Sequence, residues 1–130
     1  MKASMPDTPH ILLVDDEVLA IMVLEQDLLD EGFRVTTAFD GQEALDHWRH
    51  GGFDALVTDL RMPVMGGDEL IRHVRSEHAG FPVVVISGYV TDDVANRLKE
   101  SLDHPLVIMA KPVGVEAVMD ALRKMLASAE

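Results

Sequence analysis

The chain has no cysteine. Disulfides, thiolate zinc centres and thiol nucleophiles are therefore excluded, and the absence fits a reducing compartment. Basic residues are scarce, with 11 Lys and Arg against 23 Asp and Glu, a formal net charge of −12. That charge repels a phosphate backbone at long range and argues against direct nucleic-acid binding, while also favouring solubility. No apolar run approaches the ~20 residues that span a bilayer. The N-terminal MKASMPDTPH lacks the apolar core of a secretory signal. A cytoplasmic protein with no membrane association is expected. Also missing is a glycine- or hydroxyl-rich phosphate loop after the first apolar run. Asp15-Asp16-Glu17 stand there instead and would repel the phosphate of a nucleotide or flavin.

What is present suits one soluble domain. At 130 residues the chain can bury roughly 70% of the surface its unfolded form exposes. Four short runs are apolar almost throughout: Ile11–Val14, Ala55–Thr58, Val83–Ile86 and Leu106–Ala110. Strands covered on both faces of a parallel sheet read this way. A fifth, Arg34–Phe39, alternates and is more polar, as an edge strand would be. Helical stripes lie between them: Ala44, Leu45 and Trp48; Leu70, Ile71 and Val74; Val94, Leu98 and Leu102; and Val115, Val118, Met119 and Leu122. The first helix, about Glu17 to Asp30, is apolar over nearly a full turn from Val18 to Leu24 and is expected to sit deepest. Gly32 would stop it, and Asp40 and Thr91 are expected N-caps.

Strand and helix alternate five times, which predicts a doubly wound α/β parallel sheet flanked by five helices. Residues 1–9 are expected to be a flexible lead-in, 10–127 the domain and 128–130 a tail. His47 and His50 lack acidic or thiolate neighbours for a zinc site, and the eight methionines are scattered as core fillers.

Ligands of open α/β sheets bind at the carboxyl ends of the strands. Asp15-Asp16-Glu17 follow the first strand, Asp59 the third, Ser87-Gly88 the fourth and Lys111-Pro112 the fifth. Singly, each has a plainer role as a cap or turn residue. Together they place several carboxylates at one edge, where a cation must compensate them, and Mg²⁺ suits oxygen ligands. A lysine and a hydroxyl beside that ion suit a phosphoryl group. A carboxylate nucleophile, Mg²⁺ and a phosphoryl clamp describe phosphoryl transfer to aspartate.

In the motifs LLVDDE, TAFDGQEAL, DALVTDLRMPVMGGDEL, PVVVISGY and MAKP, the chain resembles the receiver domain of two-component response regulators, of the single-domain or hybrid-kinase type, from Pro9 to about Ala127. The resemblance implies a flavodoxin-like receiver fold with strand order 2-1-3-4-5 and Asp59 as phosphoacceptor. The donor would be a histidine kinase or histidine phosphotransfer protein. It further implies that Asp16, Asp59 and the backbone carbonyl of Arg61 bind Mg²⁺ directly, with Asp15 acting largely through water. Lys111 would contact one phosphoryl oxygen and the Ser87 hydroxyl another, and the Lys111-Pro112 bond would be cis.

The domain would then be no enzyme beyond its own phosphorylation and dephosphorylation, acting through an unknown downstream protein or as a phosphate shuttle or sink. A homodimer through the fourth helix, fifth strand and fifth helix is a further possibility. Three positions depart from the family pattern. Ile108 replaces the usual aromatic three residues before the lysine, Gly88 replaces a small residue such as Ala, and Gly66 replaces Asp or Asn. Arg61 and Tyr89 occupy positions that in this family flank the path of the hydrolytic water, where they would tune phosphoryl lifetime. Two other functions are a phosphorylation-independent binding module and a Mg²⁺-dependent aspartyl phosphatase. The phosphatase would need an acid two residues after its nucleophile, where Arg61 stands.

Overall fold

The computed structural model describes residues 8–88, 96 and 106–128. Its strands are β1 (His10–Val14), β2 (Arg34–Ala38), β3 (Ala55–Thr58), β4 (Val83–Ser87) and β5 (Leu106–Ala110). All pair in parallel, in the order β2-β1-β3-β4-β5, as the resemblance implies. The described helices are α1 (Val18–Asp30), α2 (Gly41–His50), α3 (Gly67–Glu77) and α4 (Val115–Ser128). The predicted fourth helix, with Thr91, Val94, Leu98 and Leu102, lies outside the described residues, as do Tyr89, residues 1–7 and residues 129–130.

Alternation along the strands divides the core into two layers. Ile11, Leu13, Val57, Val84 and Ile86 face α1 and α4, meeting Ile21, Leu28, Val118 and Leu122. Leu12, Val14, Leu56, Val83 and Val85 face α2 and α3, meeting Leu45, Leu70, Ile71, Val74 and Phe81. Both faces of β1, β3 and β4 are thus buried, which is why those runs carry no polar alternation. At the sheet's edge, β2 is exposed at Arg34 and half-buried at Val35, Thr36 and Thr37. Asp40 caps α2 by accepting from the Glu43 amide at 2.7 Å, and the Glu43 carboxylate accepts from the Phe39 amide at 2.7 Å. This reciprocal arrangement resembles a capping box.

The expectation for α1 needs correction. Only Ile21 and Leu28 are buried on that helix, while Val18, Leu19, Met22 and Val23 are 53–77% exposed. A helix laid on a sheet buries one stripe, and no described element covers the other side of α1. Among the described residues no helix is long and apolar enough to cross a membrane.

Candidate functional site

Because every strand runs the same way, all five carboxyl ends open at one edge. Asp15 is still tied to the sheet there, its amide donating to the Ala38 carbonyl at 3.1 Å. Its Oδ1 accepts from the Glu17 amide at 2.9 Å, turning the chain into α1. The Asp59 amide donates to the Val14 carbonyl at 3.0 Å, so the end of β3 lies beside the end of β1. Asp59 Oδ1 accepts from the Leu60 amide at 2.6 Å and the Arg61 amide at 3.3 Å. The Thr58 hydroxyl donates to the Asp59 carbonyl at 2.8 Å. The Lys111 amide donates to the Ser87 carbonyl at 2.9 Å, joining the ends of β4 and β5, and the Lys111-Pro112 bond is cis.

Lys111 reaches across this edge. Its Nζ lies 2.6 Å from Glu17 Oε1, 2.9 Å from Asp15 Oδ2 and 3.1 Å from Asp59 Oδ2. Asp15 and Asp59 are buried, Glu17 is exposed, and Ser87 is fully buried. Asp16 and Arg61 are exposed, and Asp16 is not part of the carboxylate cluster. Of the residues singled out in the sequence, Asp15, Asp59 and Lys111 are therefore in direct contact. Glu17, which the resemblance gives no part in binding Mg²⁺ or phosphoryl, takes the place in the carboxylate cluster that the resemblance implies for Asp16. Ile108 is half-buried and packs against the core between the sheet and α2/α3.

Burial raises the Asp15 carboxyl above its usual 3.8, outweighing the Glu17 amide and Lys111 ammonium that pull it down. Burial also works against the Lys111 ammonium, but its bonds to Glu17, Asp15 and Asp59 prevail and raise it above the ordinary lysine value. The lysine is thus firmly charged at neutral pH. One ammonium nevertheless balances only one of the carboxylates of Asp15, Glu17 and Asp59, which each place an oxygen within 4.8 Å of the others. An all-oxygen anionic donor set with charge left over fits a hard divalent cation. Beside it opens a cavity of about 510 Å³ between α1 and α4, lined by Ile21, Leu24, Val113 and Val115 and reaching Asp59 and Lys111.

Residues 11–123 match the response regulator receiver domain family. The chain belongs to that family. A response regulator receiver protein of Anaeromyxobacter sp. (strain Fw109-5) is 40% identical over 109 residues, covering 84% of this chain and 45% of that protein. The virulence sensor protein BvgS of Bordetella pertussis is 34% identical over 139 residues, covering 98% of this chain and 11% of that protein. The chain thus spans less than half the length of these curated relatives. Among solved structures, the Vibrio cholerae chemotaxis protein CheY4 superposes with a TM-score of 0.82 at 26% identity, over 92% of this chain and 99% of that one. A CheY-like receiver domain from Methanospirillum hungatei superposes with a TM-score of 0.86 at 22% identity, over 94% of this chain and 96% of that one, a likeness of fold. The receiver domain is a signalling module of two-component systems, and its acidic pocket is where members of the family generally bind Mg²⁺.

Proposed function

We propose that Asp59 accepts a phosphoryl group from the phosphohistidine of a histidine kinase or histidine phosphotransfer protein. The observation that carries this reading is the environment of its carboxylate. It is buried at the sheet edge, with Oδ1 fixed by two backbone amides and Oδ2 beside Lys111 Nζ. A buried carboxylate held that way is oriented for attack. A carboxylate oxygen of Asp59 attacks phosphorus, a P–O bond forms, and the P–N bond to imidazole breaks. The electron pair leaves on the ring nitrogen, which then takes a proton from water. Lys111 balances charge on one phosphoryl oxygen, and the Ser87 hydroxyl at the end of β4 donates to another.

Asp15, Asp16, Asp59 and the Arg61 carbonyl are the proposed holders of Mg²⁺. When bound, the ion supplies positive charge opposite the phosphoryl oxygens. Arg61 and Tyr89 set access of the hydrolytic water and hence phosphoryl lifetime. Besides its own phosphorylation and dephosphorylation the domain performs no chemistry.

The surface of α1 supports a protein donor. Leu19, Met22 and Val23 are exposed there, on the helix that begins one residue after Glu17, and no Lys or Arg occurs from Val18 to Asp30. An apolar, acidic face of this kind suits a partner helix with basic flanks. Output then passes, in the cytoplasm, to a downstream protein or through phosphate shuttling, with self-association on the β5 side as a further route. With Ile108 in the usual aromatic position, output from Ser87 uses another route than an aromatic rotation or relies on backbone movement. The test is incubation with acetyl phosphate and Mg²⁺, read by intact mass. One added phosphoryl group in the wild type and none in Asp59→Asn is expected; equal gain in both would refute the assignment.

A further inference from the structure

We propose that Glu17 is a positioning residue for Lys111, the arm that holds its ammonium until a phosphoryl group arrives and then lets go. The inference rests on the reading of Asp59 as phosphoacceptor. An ammonium carries three N–H donors, and Glu17, Asp15 and Asp59 take one each, at 2.6, 2.9 and 3.1 Å. None is left over, so contact with a phosphoryl oxygen requires one carboxylate to release its hydrogen bond.

Burial decides which one. The side chains of Asp15 and Asp59 are 11% and 8% exposed, against 65% for Glu17. Asp59 gives up its charge only as its oxygen bonds to phosphorus, so before that step the release falls to Asp15 or Glu17. Releasing buried Asp15 strands its charge away from water, whereas water takes the place of Nζ at Glu17 with little cost. Glu17 also makes the shortest of the contacts, pulling Nζ toward the rim of the pocket. Its grip therefore sets how readily Lys111 transfers to the phosphoryl group. The Glu17 side chain makes no capping bond to α1, so its replacement leaves that helix start intact.

Two substitutions separate contact from charge. Glu17→Gln removes the charge, while Glu17→Asp keeps it on a side chain one methylene shorter that no longer reaches Nζ. Both are expected to be phosphorylated by acetyl phosphate several-fold faster than wild type, each compared at its own saturating Mg²⁺. The Lys111 ammonium signal in ¹⁵N NMR should be slow-exchanging in the unphosphorylated wild type and broadened in both variants. A Glu17→Asp variant that behaves as wild type while Glu17→Gln is faster would reduce the effect to long-range charge and overturn the proposal. So would a large loss of Mg²⁺ affinity in Glu17→Gln, which would make Glu17 a metal ligand. If the wild type takes no phosphoryl group, the reading of Asp59 fails. The ammonium signal still decides whether Glu17 holds Lys111, and an unchanged signal in both variants overturns that.

Discussion

Gly67 lies so close to Asp59 that a β-carbon built on it would stand 1.9 Å from the Asp59 carbonyl oxygen. Its amide donates to the Leu60 carbonyl at 2.9 Å, so the start of α3 is fastened directly beneath the acceptor. Gly67→Ala must push these backbones apart. A loss of about 1–3 kcal/mol in urea unfolding is expected, typical of overpacking at a close contact, together with slower phosphorylation by acetyl phosphate. An unchanged rate would mean that the acceptor loop tolerates the shift.

Val64, in the loop between Asp59 and α3, has φ of 71° and is 80% exposed. A β-branched residue pays for the left-handed conformation and here gains no burial in return. Val64→Asn is expected to stabilise the protein by about 1 kcal/mol, since Asn adopts that region more readily. Denaturant titration measures it, and a destabilised variant would show that Val64 makes contacts the strain argument neglects.

Repulsion among the site carboxylates predicts how the fold responds to metal. Mg²⁺ at 100 times its dissociation constant should stabilise the wild type by roughly 2.7 kcal/mol. Because burial disfavours the charged form of Asp15, Asp15→Asn should melt higher than wild type in EDTA and gain less on adding Mg²⁺. Equal Mg²⁺ shifts in both proteins would remove Asp15 from the metal pocket.

His10 predicts a pH dependence at the opposite end of the sheet. Burial, followed by the nearby Arg34, lowers this imidazole below its ordinary 6.5. Its Nε2 lies 2.8 Å from the Thr36 hydroxyl oxygen. A lowered histidine means that the unfolded chain takes up the proton first. The contribution of neutral His10 is therefore complete above pH 6.5 and is lost as pH falls through the folded-state value. His10→Gln should flatten the stability curve over that window. Parallel curves for the two proteins would assign the acid sensitivity elsewhere.

The strands were legible because burial on both faces leaves an unmistakable apolar run, as in Val83–Ile86, and Asp40 announced a helix start three residues before Glu43. Asp59 and Lys111 were legible because each ends such a run. The exposed side of α1 was not. An apolar residue such as Leu19 carries no mark of whether anything covers it, so an all-round apolar helix reads as deeply buried. Nor was the contact between Glu17 and Lys111, which are 94 positions apart. Past the end of β1 the chain leaves the two-residue alternation of the strand. Which of Asp15, Asp16 and Glu17 turns toward the lysine is then set by the turn into α1. The structure brings in Asp15 and Glu17 and leaves Asp16 exposed.

The central claim is that the phosphoryl group resides on Asp59, and reduction with borohydride tests it most directly. An aspartyl phosphate is reduced to homoserine, which peptide mass mapping locates by position. After treatment with acetyl phosphate and Mg²⁺, the account predicts homoserine at position 59 and at no other carboxylate. Homoserine at position 15 or 16, the 5-hydroxynorvaline that a glutamyl phosphate at position 17 would give, or phosphorylated protein with no reducible acyl phosphate, would contradict it.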